Sequence, residues 1–237
     1  MPGKWFYLHH HCIFIQFYKF RFMKDKVPAV LIEKWLNGWS VSREVSLPVR
    51  YKSGFKVDVG WEEQKCRYVF PVLNEDLIHL AESIEEPWVF LKVCAACSEL
   101  TEILPDRWTV QPQGYLMMSE NNSDKIKDQT LADTYTMETE VSDDGVHLIK
   151  IKDENNELAS SGRVVCLDDW AIYDRIETSQ FHQRKGLGSY LFGELQKIAD
   201  KMGIENNILV ATEEGRLLYE SLGWKVVSLY TSVVIIP

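Results

Sequence analysis

Gln183, Arg184, Lys185, Gly186, Leu187, Gly188 and Ser189 stand in consecutive positions at the start of a helical pattern that runs to about Met202. Two glycines so placed let the backbone approach a ligand with no Cβ in the way. The first-turn amides of a helix have no intrahelical partner and carry partial positive charge, so they suit a phosphate or pyrophosphate. Arg184 and Lys185 add full charges beside them. A strand-like run, 170–178, comes just before. The unit reads as strand, phosphate-holding turn, helix. A dinucleotide fingerprint would need a third glycine where Leu191 stands, and a P-loop a Gly-Lys-Ser/Thr end that the chain lacks.

The elements around this turn follow from periodicity. Leu187, Tyr190, Leu191, Leu195, Ile198 and Met202 form an apolar stripe that would anchor the helix on a sheet. Strand patterns at 135–141, 147–152, 163–167 and 170–178 precede it, with turns at Asp144-Gly145 and Asn155-Asn156. After it come a strand at 208–212, a helix at 214–222 closed by Gly223, and a β-rich tail at 225–236. The first half alternates too. A helix from Pro28 ends at Asn37-Gly38, and a hairpin turns at Lys52-Ser53-Gly54, with glycine supplying positive φ. Asn74 caps a second helix, 88–93 is a buried strand, 98–104 a short helix and 110–118 a weaker strand. No internal repeat stands out.

Composition bounds the rest. The chain has 237 residues, 46% of them hydrophobic, with a net charge of −9. That balance argues against nucleic acid as partner, which needs a basic face, and it weakly fits a cationic amine. Five cysteines suggest no disulfide framework and point to a cytoplasmic location. Cys94 and Cys97 read as two small buried side chains, a redox pair being the alternative. No metal site is expected; His9, His10 and His11 are adjacent but make no chelating geometry by themselves. Residues 1–22 are aromatic and basic, too interrupted to span a bilayer, and read as an extension outside the fold, with no stable membrane association. The polar stretch 119–133 reads as a linker between an N-terminal α/β domain, 23–118, and a second domain, 134–237.

Gln/Arg-x-x-Gly-x-Gly/Ala at 183–188 resembles the acetyl-CoA signature of the GCN5-related N-acetyltransferases, the GNAT family. The sequence Ile208-Leu-Val-Ala-Thr212 resembles that family's next strand, and Leu218-Tyr-Glu-Ser-Leu-Gly-Trp224 its Leu-Tyr-x-x-x-Gly-Phe segment. The resemblance covers roughly the last hundred residues. It implies an α/β (α+β) fold with a mixed, mostly antiparallel sheet flanked by helices, beside a smaller N-terminal α/β layer. One departure is the short turn at Asp144-Gly145, which leaves no room for the helices the family places between its first two strands. Either the N-terminal half supplies that wall or the core is a half-sized one.

The resemblance also implies acetyl-CoA as co-substrate, held by Gln183, Arg184, Lys185, Gly186, Leu187, Gly188 and Ser189, with the backbone amides of Ile176 and Thr178 meeting the pantetheine arm and thioester oxygen. Tyr219 would then be the general acid, since a phenol is matched to a departing thiolate. Asp174 is the candidate base. Period-two alternation puts it on one face with Ile172 and Ile176 and puts Glu177 on the other. The reaction implied is direct attack of a primary amine, on a small molecule or peptide, in a ternary complex. The alternative is a non-catalytic acyl-CoA-binding or interaction module. The tail at 233–236 could pair two copies into a homodimer.

Overall fold

The computed structural model describes residues 26–120 and 129–237. The expected extension, with its three histidines, and positions 121–128 of the linker lie outside the described residues. The first half holds α1 (Ala29–Ser42), β1 (Val49–Tyr51), β2 (Gly54–Trp61), β3 (Gln64–Phe70), α2 (Glu75–Ser83), β4 (Val89–Val93), α3 (Cys97–Thr101), β5 (Thr109–Val110) and β6 (Gly114–Glu120). The second holds β7 (Tyr135–Val141), β8 (Val146–Asp153), β9 (Leu158–Leu167), β10 (Trp170–Thr178), α4 (Leu187–Lys201), β11 (Asn206–Ala211), α5 (Glu213–Ser221) and β12 (Lys225–Val234). All the strands join one mixed sheet in the order β1-β2-β3-β4-β12-β6-β11-β10-β9-β8-β7, with β5 also paired to β12. Only β3 with β4 and β10 with β11 run parallel.

Each half repeats one order: a strand, a helix, a strand parallel to the first, a second helix, then closing strands, β5 and β6 in the first half and the single long β12 in the second. The last segment of each half sits in the other. Strand β6 is inserted between β11 and β12. The end of β12, Thr231 to Val234, pairs with β4 and β5. The repeat is one of topology, which is why no sequence periodicity reports it. The exchange also corrects the picture of an exposed C-terminal tail: Val233, Val234 and Ile235 are buried inside the sheet, not free to pair two copies.

Helix α1 answers the question left by the short Asp144-Gly145 turn. It packs on β9 and β10 of the second half as well as on β2 and β3, so the N-terminal half supplies the missing wall. It also runs on past Gly38. An ideal Cβ at Gly38 would stand 2.5 Å from Ile172 Cγ1, so that glycine is the point where β10 presses against the helix and not a stop. At the β1–β2 turn, Lys52 takes the positive φ (48°), while Gly54 is required because a Cβ there would meet the Val69 carbonyl oxygen at 2.6 Å. Asn74 caps α2 as expected, its side chain accepting from the Leu77 amide at 3.2 Å.

On the opposite sheet face, Leu187, Leu191, Phe192, Leu195 and Ala199 of α4 are buried against Ile149, Val164, Ala171 and Tyr173. That burial fixes where the first turn of α4 points, which is the link between packing and the site.

Candidate active site

Strands β10 and β11 are in register only at Trp170↔Asn206, Ala171↔Asn207 and Ile172↔Ile208. Beyond Ile172 they part, and positions 173–178 pair with β9 alone. The parallel pair of the first half stays closed over five residues, Cys66↔Val89 to Phe70↔Val93. The opening belongs to one half only. It lies at the end of β10 that leads through a short 3-10 turn, Gln180–His182, to the glycine turn.

In that turn Arg184 (φ 62°) and Gly186 (φ 81°) are left-handed on either side of Lys185. Such alternation gathers successive amides into a concavity that suits an anion. Gly186 is the N-cap of α4 and makes no side-chain cap bond. The two glycines serve different needs. Nothing lies within 4 Å of a Cβ built on Gly186, so conformation demands it. A Cβ on Gly188 would project to 3.5 Å from Leu218 Cδ2 and 3.6 Å from Thr178 Oγ1, so it would narrow the gap between α4, α5 and the end of β10. Ser160 Oγ donates to the Glu177 carbonyl at 2.7 Å and lies 2.9 Å from Thr178 Oγ1, which holds that end in place. His182, ahead of the turn, is fixed by the Tyr135 hydroxyl at 3.0 Å from Nδ1 and lies 3.7 Å from Asp153.

A bulge between Asp174 and Glu177 changes the faces of β10. Asp174 is opposite Arg163 and Glu177 opposite Ser161, so three steps on β10 match two on β9. Arg175 takes up the extra residue at φ 51°. Glu177 therefore shares the α1 face with Asp174, while Ile176 crosses to the α4 face and meets Gly162 and Leu195. Strict alternation, which grouped Asp174 with Ile176 and set Glu177 apart, fails for this reason.

Asp174 is anchored. Arg43, the residue after α1, donates from Nε to Oδ2 at 2.8 Å and from Nη2 to Oδ1 at 2.7 Å, and Ser42 Oγ donates to Oδ2 at 3.0 Å. Tyr219, on α5, is buried with its ring against Phe192 (5.2 Å) and Trp224 (5.9 Å). Burial, then the negative charge of Asp174, raises its phenol above the ordinary range, so it keeps its proton.

On the α1 face a cavity of about 410 Å³ adjoins the bulge, lined by Arg43, Leu148, Lys150, Leu158, Ser161, Arg163, Arg175 and Glu177. Arg163 Nη1 donates to the Ser42 carbonyl. Trp39 and Trp61 stand beside two of its cations: the Arg43 guanidinium lies 5.0 Å from the Trp39 ring and 5.9 Å from that of Trp61, and the Arg175 guanidinium 5.8 Å from Trp61. None of Arg43, Arg163, Arg175, Trp39 or Trp61 carries a sequence signal, because Arg43 is 131 positions from Asp174 and only the packing of α1 joins them.

No known family's sequence profile and no curated protein matches this chain. Solved structures do. A GCN5-related N-acetyltransferase from Kribbella flavida is similar over 88% of this chain and 96% of its own, at TM-score 0.59 and 12% identity. A GCN5-related N-acetyltransferase-like protein from Streptococcus suis covers 87% and 97% at TM-score 0.57 and 13% identity. An acetyltransferase of the GNAT family named from Novosphingobium aromaticivorans covers 85% and 97% at TM-score 0.53 and 14% identity. The chain has the GNAT fold. The likeness takes in both halves and not only the C-terminal one on which the motifs lie. Among the described residues no group of side chains could hold a metal ion and no helix is long and apolar enough to cross a membrane. Cys66, Cys94, Cys97 and Cys166 are free thiols; Cys94 and Cys97 are half-buried rather than buried as expected, and burial of its sulfur raises Cys94 to about 12, away from the range of a reactive thiolate.

Proposed function

We propose that the chain is a cytoplasmic N-acetyltransferase that moves the acetyl group of acetyl-CoA to a primary amine by direct attack in a ternary complex. The observation that carries this reading is the parting of β10 from β11 after Ile172, at the end of β10 that leads to the Gly186–Gly188 turn. The residues fit the co-substrate: a cradle that a Cβ at Gly188 would narrow, two cations beside free helix amides, and an unpaired strand edge. When bound, acetyl-CoA supplies an activated thioester.

Every other part falls to the chain. Gln183 to Ser189 hold phosphate through amides and through Arg184 and Lys185. The amides of Ile176 and Thr178, on the open edge of β10, are the donors assigned to the carbonyl oxygen, where negative charge develops during attack. Tyr219 holds its proton and donates it toward the leaving sulfur. Asp174, with both oxygens engaged by Arg43, orders the end of α1 and the acceptor side of the opening, and takes the amine's proton directly or through a water. A small-molecule or peptide acceptor enters from the α1 face.

The test is the melting temperature with and without acetyl-CoA, for the wild type and for Gly188→Glu. Ligand at a hundred times its dissociation constant adds about 2.7 kcal/mol to the native state. A rise in the wild type that the variant loses, together with CoA release on an amine panel, supports the reading. No rise in either protein sinks it.

A further inference from the structure

The cavity on the α1 face is basic within an acidic protein. Four cations, Arg43, Lys150, Arg163 and Arg175, line it against one carboxylate, Glu177. Two of the four are neutralised: Arg43 by Asp174, and Lys150 by Glu140 at 2.7 Å. Arg163 has only the neutral Ser42 carbonyl. Arg175 makes no hydrogen bond or ion pair among the described residues; its guanidinium lies 5.8 Å from the Trp61 ring, and Glu177 lines the same cavity. Partial burial, then Arg43 and Arg163, lower the Arg175 guanidinium pKa, with Asp174 and Glu177 acting the other way. Behind Trp39 stands Arg67, buried, its guanidinium 3.4 Å from the ring centroid, with Nε unpartnered. Arg175 is exposed and Arg163 half-buried, so both guanidinium groups can be reached from solvent by an anionic ligand. The left-handed backbone at Arg175 turns this side chain, out of strand alternation, into the same cavity as Glu177.

We infer that the acceptor amine carries its own anionic group, a carboxylate or a phosphate, which Arg175 and Arg163 hold while the amine faces the parted strands. This rests on the acetyltransferase reading and names the acceptor class for it. A cavity of about 410 Å³ suits a small molecule. The same charges assist the chemistry, because guanidinium groups near an ammonium disfavour its charged form and so favour the neutral amine that attacks. Acceptance of a carboxylate in two parallel bonds is a task suited to arginine and not to lysine.

Two arms test the inference. In the first, Trp61 reports binding: fluorescence is titrated with succinate and with inorganic phosphate for wild type, Arg175→Gln, Arg175→Lys and Arg163→Gln, with Trp61→Phe to identify the signal. A saturable change in wild type that weakens about 10- to 100-fold in Arg175→Gln is the expected result. No saturable change, or equal binding by all variants with unchanged melting temperatures, overturns the inference. In the second arm short ω-amino carboxylates, aminoalkyl phosphates and the matching neutral amides and alcohols are offered with acetyl-CoA. The anionic members should be preferred, and Arg175→Gln should lower kcat/KM for them about tenfold or more beyond any fall for the neutral ones. Equal use of neutral and anionic amines by the wild type overturns it. Preference for carboxylate or for phosphate separates the two sources of the anion. Acetyl-CoA stabilisation in Arg175→Gln distinguishes the arms: if it is absent from the wild type as well, the acetyltransferase reading has failed, whereas anion binding stands or falls by the titration.

Discussion

Tyr219 sits in an aromatic cluster with Phe192 and Trp224, and its ring is fully explained as core. Its hydroxyl is not: no hydrogen bond holds it among the described residues, and besides burial the charge of Asp174 raises its pKa. A hydroxyl that makes no hydrogen bond in the fold is one whose removal separates function from stability. Tyr219→Phe should therefore melt close to the wild type and stabilise equally with acetyl-CoA, while kcat falls on the order of 10²-fold, the lower range for a lost general acid. Matched fall in melting temperature and in kcat would make Tyr219 a packing residue alone. At this scale the sequence was readable where a residue type is rare for its task, as with Gly186 and Gly188, and unreadable where the task is shared across the fold, as with Arg43 and Asp174. A bidentate ion pair closed over 131 positions leaves no local trace.

Elements were legible in proportion to their regularity. The order and most bounds of the strands and helices follow from period, because burial on one face writes itself into the spacing. The bulge in β10 does not, since one inserted residue leaves the composition of a strand unchanged while reversing the faces beyond it. Strand β4 shows a related limit. Its apolar run reads as a buried strand, yet Lys92 within it donates to Ser232 Oγ at 2.6 Å on β12 and lies 4.9 Å from the Phe90 ring. Burial first, then Arg67 and Arg43, hold its amine well below the ordinary lysine range. A lysine whose folded pKa is depressed binds fewer protons in the folded than in the unfolded state, so its penalty on folding grows as pH falls from about 10.4 toward the folded value. Stability should thus rise with pH from neutrality toward 10 in the wild type. Lys92→Met with Ser232→Ala, which strands no hydroxyl, should melt higher at pH 7 and show less of that slope. A lower melting temperature at pH 7 would mean that the lysine is paired and not merely buried.

The whole molecule is held by its exchanged strands. Leu116 and Met117 of β6 are fully buried, Met117 in the core under α4 and Leu116 in the core under α1. Val233 of β12 is equally buried, in the core under α2 and α3. Each half thus lacks one interior strand of its own sheet, and the cut that the polar stretch at 119–133 suggests would leave β11 and β12 facing each other across a missing strand. An unpaired interior strand exposes both its backbone groups and its apolar faces, the combination that drives aggregation. Residues 129–237 expressed alone should therefore be insoluble or molten, and so should residues 26–120, while the two expressed together should associate and regain acetyl-CoA-dependent stabilisation. The intact chain should unfold in one transition, because neither half can lose its strands without opening the other. Two separated calorimetric transitions, or a folded 129–237 fragment, would show that the halves are independent and that β6 adds only to an already complete sheet. The functional consequence is direct: α1, whose end anchors Asp174 and lines the acceptor cavity, belongs to the first half, while the glycine turn and Tyr219 belong to the second. Exchange of strands keeps the two parts of one site in register.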